Sequence, residues 1–287
     1  MRQLAVGLMF FLTCGSCAFA QSNVSQSQTS QSNVSNANFP SAGFLQFPPH
    51  FQPRPASATG KVDAVAPPPL PSYAQPAIPK EGYLWMPGFW AWRGDVRDYY
   101  WVPGTWVKPP RTGLLWTPPY WSSDDGHYAF HAGYWAEAVG FYGGIDYDYG
   151  YPGNGYAGGR WENGTFSYNR AANNFGSVDI AHAYDQAVSS SGNVVRASFN
   201  GGSRGTDAQP TQDQQRLARD KHVAPTAEQL RQFEIAAKDR SLYSKLNGGE
   251  PGIAATARVG VFDSHSVTRS SERANNDVHA TVGADVK

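Results

Sequence analysis

Apolar and polar positions are arranged differently in successive stretches of this chain, and each arrangement predicts a different structure. Leu4 to Leu12 form an apolar run behind Arg2, and Ala18-Phe19-Ala20 precedes Gln21. That is the layout of a cleavable secretory signal over residues 1–20; the run is too short to span a bilayer, which takes ~20 apolar residues. Residues 21–38 are nearly all Gln, Ser and Asn, with QSNVS at 21–25 and again at 31–35. Such a tract has no apolar surface to offset its ordering entropy, which predicts disorder. Residues 39–80 hold 11 of the 21 prolines and predict a semi-extended, polyproline-like spacer, which completes a disordered linker over 21–80.

From residue 81 the pattern becomes aromatic and strand-like. All nine tryptophans lie between Trp85 and Trp161, and twelve of the fifteen tyrosines between Tyr83 and Tyr168. The repeat reads Trp85-Met-Pro-Gly-Phe-Trp90, Trp101-Val-Pro-Gly-Thr-Trp106 and Trp116-Thr-Pro-Pro-Tyr-Trp121, with a degenerate fourth copy, Phe130-His-Ala-Gly-Tyr-Trp135. The leading aromatics are 16, 15 and 14 residues apart, a period that suits one strand plus a turn. Within a motif the two tryptophans are five apart and would face opposite sides of an unbroken strand. A bend or bulge at Pro-Gly returns them to one side. Arg93-Gly94-Asp95 and Ser122 to Gly126 supply polar turns. The predicted fold is mainly β: a small aromatic-rich antiparallel meander over 81–142, in a β domain spanning 81–170.

Tyr and Gly alternate over 141–160, which predicts a wide loop lying over that sheet, and Asn163-Gly164 predicts a hairpin over 159–168. Residues 171–207 read as an irregular connector with one strand near Val194–Phe199. Thr211 before Gln214 and Thr226 before Gln229 have capping-box spacing. They predict a peripheral helical segment over 208–250, its main helix running from Ala227 to Lys238 with Leu230, Phe233 and Ala237 on one face. A third helix runs from Leu242 to Leu246 and stops at Asn247-Gly248. Residues 251–287 read as an extended tail, disordered beyond Phe262.

Charge narrows the function classes. Lys plus Arg total 23 and Asp plus Glu total 23, so the chain has no basic footprint for nucleic acid. Both cysteines, Cys14 and Cys17, fall inside the signal, which leaves the mature chain without disulfides or thiolate chemistry. Lipidation at Cys17 would call for Leu where Cys14 stands, so cleavage between Ala20 and Gln21 is the expected processing. The expected address is periplasmic, cell-surface or secreted, with no transmembrane segment.

The Trp-x-Pro-Gly-x-Trp copies resemble the WXXGXW (also YXWGXW) repeat proteins, BcpO-related exported proteins of bacteria. Val139 to Gly144, Gly158-Gly-Arg-Trp161 and Phe166-Ser-Tyr-Asn169 resemble the Tyr/Gly block that follows the repeats in longer members. His222 to Thr226 and Pro251 to Thr256 are similar to their C-terminal segment. The third copy departs by placing Pro119 where Gly is expected, and the fourth by opening with Phe130. The resemblance implies export and a repeat architecture, and no activity.

The candidate chemistry is sparse. Asp124-Asp125 fits a solvated turn better than a glycosidase carboxylate, and Asp95 and Asp98 flank a turn. Asp146 and Asp148 could share a cation, and Asp146-Tyr-Asp-Tyr-Gly150 opens like a calcium loop; Ala157 stands where its closing Glu belongs. His127 and His131 are four apart on a segment that reads as strand, against a helical metal pair. Ser189-Ser-Ser191 lacks a nucleophile-elbow context, and the glycines of 143–159 lack the Lys-Ser/Thr of a phosphate loop. No catalytic residue, metal or cofactor is assigned. Trp85, Trp90, Trp101, Trp106, Trp116, Trp121 and Trp135 have two readings: they are a core short of aliphatic residues, or an exposed face that stacks on sugars. The expected function is a non-catalytic exported envelope protein binding glycan, or other envelope proteins, through those rings. The rival is a structural or self-associating protein; a periplasmic hydrolase is the remote third reading.

Overall fold

A computed structural model describes residues 61–62, 65–189 and 196–271. The signal segment, both cysteines, the Gln/Ser/Asn tract, Ser190-Ser191 and the residues after 271 lie outside it. A first short strand, β1 (Lys61–Val62), precedes two long hairpins at the centre of the fold. The first hairpin contains β2 (Leu84–Met86), β3 (Phe89–Arg93), β4 (Asp98–Val102) and β5 (Gly104–Val107). The second contains β6 (Leu115–Thr117), β7 (Tyr120–Asp124), β8 (His127–His131) and β9 (Tyr134–Ala136).

In each hairpin the inner strands pair across the tip and the outer strands pair behind them: β3 with β4 and β2 with β5, then β7 with β8 and β6 with β9. One motif is therefore one arm, and two motifs close a hairpin. The motif reads almost alike in both directions, so an antiparallel copy sets aromatic opposite aromatic. Trp85 faces Trp106, Trp90 faces Trp101, Trp116 faces Trp135 and Trp121 faces Phe130. Of the expected bend or bulge at Pro-Gly, the first hairpin has a break in each arm and no bulge. Pro87-Gly88 lies opposite Pro103-Gly104, and the same register resumes beyond them. Proline has no N–H to give to the ladder, so both arms are interrupted together. The two hairpins share no backbone ladder and belong to separate small sheets, which makes the meander discontinuous.

The flanking segments complete the core. Residues 65–78 form neither strand nor helix, and they do not act as a loose spacer. Leu70, Tyr73, Gln75 and Ile78 are buried, and the Tyr73 ring meets Trp101 edge to face at 6.4 Å. A strap outside any sheet has free carbonyls, and the repeats use them. Trp90 Nε1 donates to the Pro69 carbonyl at 3.1 Å, Trp106 Nε1 to Pro76 at 2.9 Å and Tyr99 Oη to Val65 at 2.9 Å.

The Tyr/Gly segment carries β10 (Asp146–Asp148) and β11 (Tyr151–Pro152), then the hairpin β12 (Gly159–Glu162) and β13 (Thr165–Asn169). That hairpin turns where it was predicted to turn: Asn163 and Gly164 have φ of 48° and 80°, the left-handed pair of a type I′ turn. Two short strands add parallel edges, β14 (Ala183–Tyr184) beside β13 and β15 (Phe199–Asn200) beside β7. Tyr151 Oη reaches the Trp116 carbonyl at 2.9 Å and the Trp85 carbonyl at 3.4 Å, linking equivalent positions of the two hairpins.

Both capping boxes form, at Thr211 for α1 (Gln212–Leu217) and at Thr226 for α2 (Ala227–Lys238). A short α3 (Ser244–Asn247) ends at Gly248, whose φ is 66°. The helical segment was expected at the periphery; α2 instead sits in the core. Phe233, Ala236 and Ala237 are buried, and Gln229 and Gln232 on the same helix are fully buried as well. Gln229 Oε1 accepts from Trp135 Nε1 at 2.7 Å, and Gln232 Nε2 donates to the Pro103 carbonyl at 3.1 Å, so one helix holds both hairpins. Beyond it, β16 (Ala255–Thr256) runs parallel to β5 and pairs with β17 (Val267–Thr268). Order thus extends past Phe262, to residue 271. Among the described residues no helix is long and apolar enough to cross a membrane.

Candidate functional site

The seven tryptophans singled out as a binding face are interior residues. Trp85, Trp106 and Trp135 have no exposure; Trp90, Trp101 and Trp116 are 1% exposed and Trp121 is 3% exposed. The sugar-stacking reading is corrected at all seven, because a ring with no free face cannot stack on a ligand. Their cross-strand partners hold the rings edge to face or tilted, with centroids 5.3 Å apart for Trp85–Trp106, 5.2 Å for Trp90–Trp101 and 5.3 Å for Trp116–Trp135. Their N–H groups point to different parts of the molecule: Pro69, Pro76, Ala254, Trp90 and Gln229 accept from Trp90, Trp106, Trp101, Trp121 and Trp135. Trp85 and Trp116, the first tryptophan of each hairpin, bury Nε1 without a hydrogen-bond partner.

The other candidates separate. Asp124 and Asp125 are exposed beside the β7–β8 turn. Asp98 is buried and accepts from Ser244 Oγ at 2.7 Å and from the Lys245 N–H, which makes it a cap for α3. His131 does not join His127 in a metal site: it meets Ser122 Oγ at 2.8 Å and stacks on Tyr120 at 4.3 Å. Burial pushes the His131 imidazole below its ordinary value, toward the neutral form. Among the described residues no third group orients that imidazole, and no cluster of three or more His, Cys, Asp or Glu could hold a metal ion.

Asp146 and Asp148 do converge, in a cleft that the sequence did not reveal. It encloses about 410 Å³ where the proline strap, the β10–β11 turn and the backbone around residues 171–172, 188, 196 and 271 meet. Arg196 anchors its wall. Nη1 meets Asp148 Oδ2 at 2.8 Å, Nε donates to the Leu70 carbonyl at 2.9 Å and Nη2 to the Pro71 carbonyl at 3.1 Å. Asp146 Oδ1 accepts the Asp148 N–H at 3.0 Å. The turn is left-handed at Asp148, Tyr149 and Gly150, with φ of 60°, 46° and 93°. Two non-glycine residues in that region are strained, and side-chain ties hold them: Asp148 to Arg196, and Tyr149 Oη donating to the Tyr73 carbonyl. Arg196 and Tyr73 stand 48 and 76 residues from those partners, and no local spacing announces such a pairing.

Fold and site together define an aromatic-cored β-repeat protein with a polar cleft built outside the repeats. A family model for the WXXGXW repeat matches at residues 82–107 and 111–136, so the central hairpins are WXXGXW repeats, one match to each hairpin. No curated protein and no solved structure matches the chain.

Proposed function

We propose that this is an exported, non-catalytic envelope protein in which the WXXGXW hairpins are scaffold and glycan binding falls outside them. The observation that carries this reading is the destination of the indole N–H groups. Five repeat tryptophans donate to five separate acceptors, in the strap, in the neighbouring hairpin, on α2 and just before β16. Large rings with fixed polar edges assemble a small domain from short strands without disulfides, which suits an exported chain whose cysteines leave with its signal. Export rests on the Arg2, Leu4–Leu12 and Ala18–Ala20 pattern, and the non-catalytic reading on the lack of a nucleophile–base–orienter set among the described residues. Self-association is the less favoured reading. Among the described residues the large exposed hydrophobics are only Val65, Val96 and Leu246, too few for a broad apolar face.

Cell fractionation with N-terminal sequencing checks the address: the mature chain begins at Gln21 and is absent from the cytosol. Co-sedimentation with purified peptidoglycan and insoluble polysaccharides checks the binding. Concentration-dependent assembly with no glycan retention would favour the structural rival. Hydrolysis abolished by Asp146→Asn would show an enzyme.

A further inference from the structure

We propose that the cleft is the glycan subsite: Asp146, Asp148 and Arg196 bond neighbouring hydroxyls of an uncharged pyranose unit while Tyr149 lines the pocket beside its ring. This rests on the glycan reading above and gives it a location. The volume of about 410 Å³ falls within the ~300–1,000 Å³ usual for small-ligand sites.

The lining selects the ligand class by elimination. An apolar ligand would strip water from two carboxylates and a guanidinium with nothing to replace it. An anion such as phosphate would meet two carboxylates, while the charge of the one lining cation is already balanced by Asp148. A divalent cation would find Arg196 in salt-bridge contact with one of its two carboxylates. A polyol fits what remains. Asp148 engages Arg196 through Oδ2 and is 38% exposed, so its other oxygen can accept from a ligand hydroxyl. Arg196 keeps further N–H groups on Nη1 and Nη2 to donate to a neighbouring hydroxyl oxygen. Ser72 and Ser271 supply further hydroxyls at the rim.

The groups are also fixed before any ligand arrives. The Arg196 side chain is only 15% exposed and is held at three nitrogens. The Tyr149 ring packs on Tyr73 and Trp85, with centroids 5.7 and 5.9 Å away. The strap that carries Tyr73 is bonded to the repeat indoles, so the scaffold positions the site. Preorganised planar groups of this kind favour a ligand whose hydroxyls have a fixed spacing.

The test is isothermal titration of the mature chain with chitohexaose, cellohexaose and laminarihexaose, with calcium chloride, inorganic phosphate and polygalacturonate run in parallel. Two variants separate the site from the fold. Asp148→Asn keeps a side chain that tolerates left-handed backbone and removes the charge and one acceptor oxygen. Ala171→Trp fills the cleft from an exposed position. At least one neutral hexaose should bind; Asp148→Asn should weaken it about tenfold and Ala171→Trp should abolish it, with near-ultraviolet circular dichroism unchanged. Equal binding by wild type and both variants would overturn the location and leave glycan binding standing. Binding of calcium, phosphate or polygalacturonate in place of the neutral sugars, or of no sugar at all, would overturn the glycan reading and the subsite with it.

Discussion

Gly88 lies directly beneath the six-membered ring of Trp101: a Cβ built on Gly88 would stand 2.3 Å from Trp101 Cζ2 and 2.9 Å from the Gly104 nitrogen. The relation is reciprocal, because a Cβ on Gly104 would stand 2.7 Å from Trp85 Cζ2. The motif's glycine is thus a floor for the first tryptophan of the opposite arm. Gly88→Ala and Gly104→Ala should each destabilise by about 2–3 kcal/mol through overpacking. Gly94→Ala, whose Cβ meets nothing closer than Trp92 Nε1 at 3.9 Å, is the neutral control. Urea unfolding of the three variants checks this; equal midpoints would show that the close approach has no energetic weight.

The same relation accounts for both departures in the second hairpin. Gly133 sits under Trp116, whose Cζ2 would be 2.5 Å from an added Cβ. The other diagonal of this hairpin joins the positions of Pro119 and Phe130, the two that break the motif. A smaller ring stands where the floor is bulkier. Phe130→Trp alone should cost about 1–3 kcal/mol, and adding Pro119→Gly should recover part of that loss. A double-mutant cycle reads the coupling; additive losses would show that the two departures are independent.

The proline strap yields a third expectation. Proteolysis or truncation that removes residues 65–80 takes away buried side chains, among them Leu70, Tyr73, Gln75 and Ile78, and the carbonyls that serve Trp90 and Trp106. A chain of residues 61–271 should unfold cooperatively, while one of residues 81–271 should lose near-ultraviolet dichroism and expose its indoles to acrylamide. A truncated chain with native dichroism would return the strap to the status of a spacer.

What the sequence made legible follows from the range of the interactions involved. Local signals held: the Thr226–Gln229 capping box, the Asn163-Gly164 turn and the 14–16-residue aromatic period each depend on neighbours a few residues apart. The period counted hairpin arms correctly, and Pro-Gly opposite Pro-Gly broke both arms of the first hairpin together without shifting their register. Which face of an indole would be covered could not be read locally. Trp90 is closed over by Pro69, Trp101 by Ala254 and Trp135 by Gln229, at separations of 21, 153 and 94 residues. The cleft was hidden for the same reason: Asp146 and Asp148 looked like half of a cation loop until Arg196 came to their side. Proline-rich composition wrongly gave the strap's freedom, because backbone outside any sheet, with unused carbonyls, is also a good acceptor rail.

The last prediction concerns alkaline unfolding. Burial raises the phenols of Tyr147 and Tyr151 well above the ordinary 10.0, and lifts those of Tyr120 and Tyr168 to about 12. These groups keep their protons in the folded chain at pH values where the unfolded chain has lost them. The folded state then binds more protons than the unfolded state, so stability falls as pH rises. Their contribution is fully present below pH 10.0, the unfolded value, and is lost as pH climbs through the folded values. Each such tyrosine adds up to about 1.4 kcal/mol per pH unit above that point, and several act together. The protein should therefore hold its fold to about pH 10 and then unfold abruptly, with phenolate absorbance rising in the same step as the loss of near-ultraviolet dichroism. Tyr147→Phe should blunt the alkaline slope, although it also removes the bond from Tyr147 Oη to the Pro119 carbonyl and so lowers stability at neutral pH. Gradual phenolate formation by most tyrosines with dichroism intact would mean that their hydroxyls reach solvent in the folded chain.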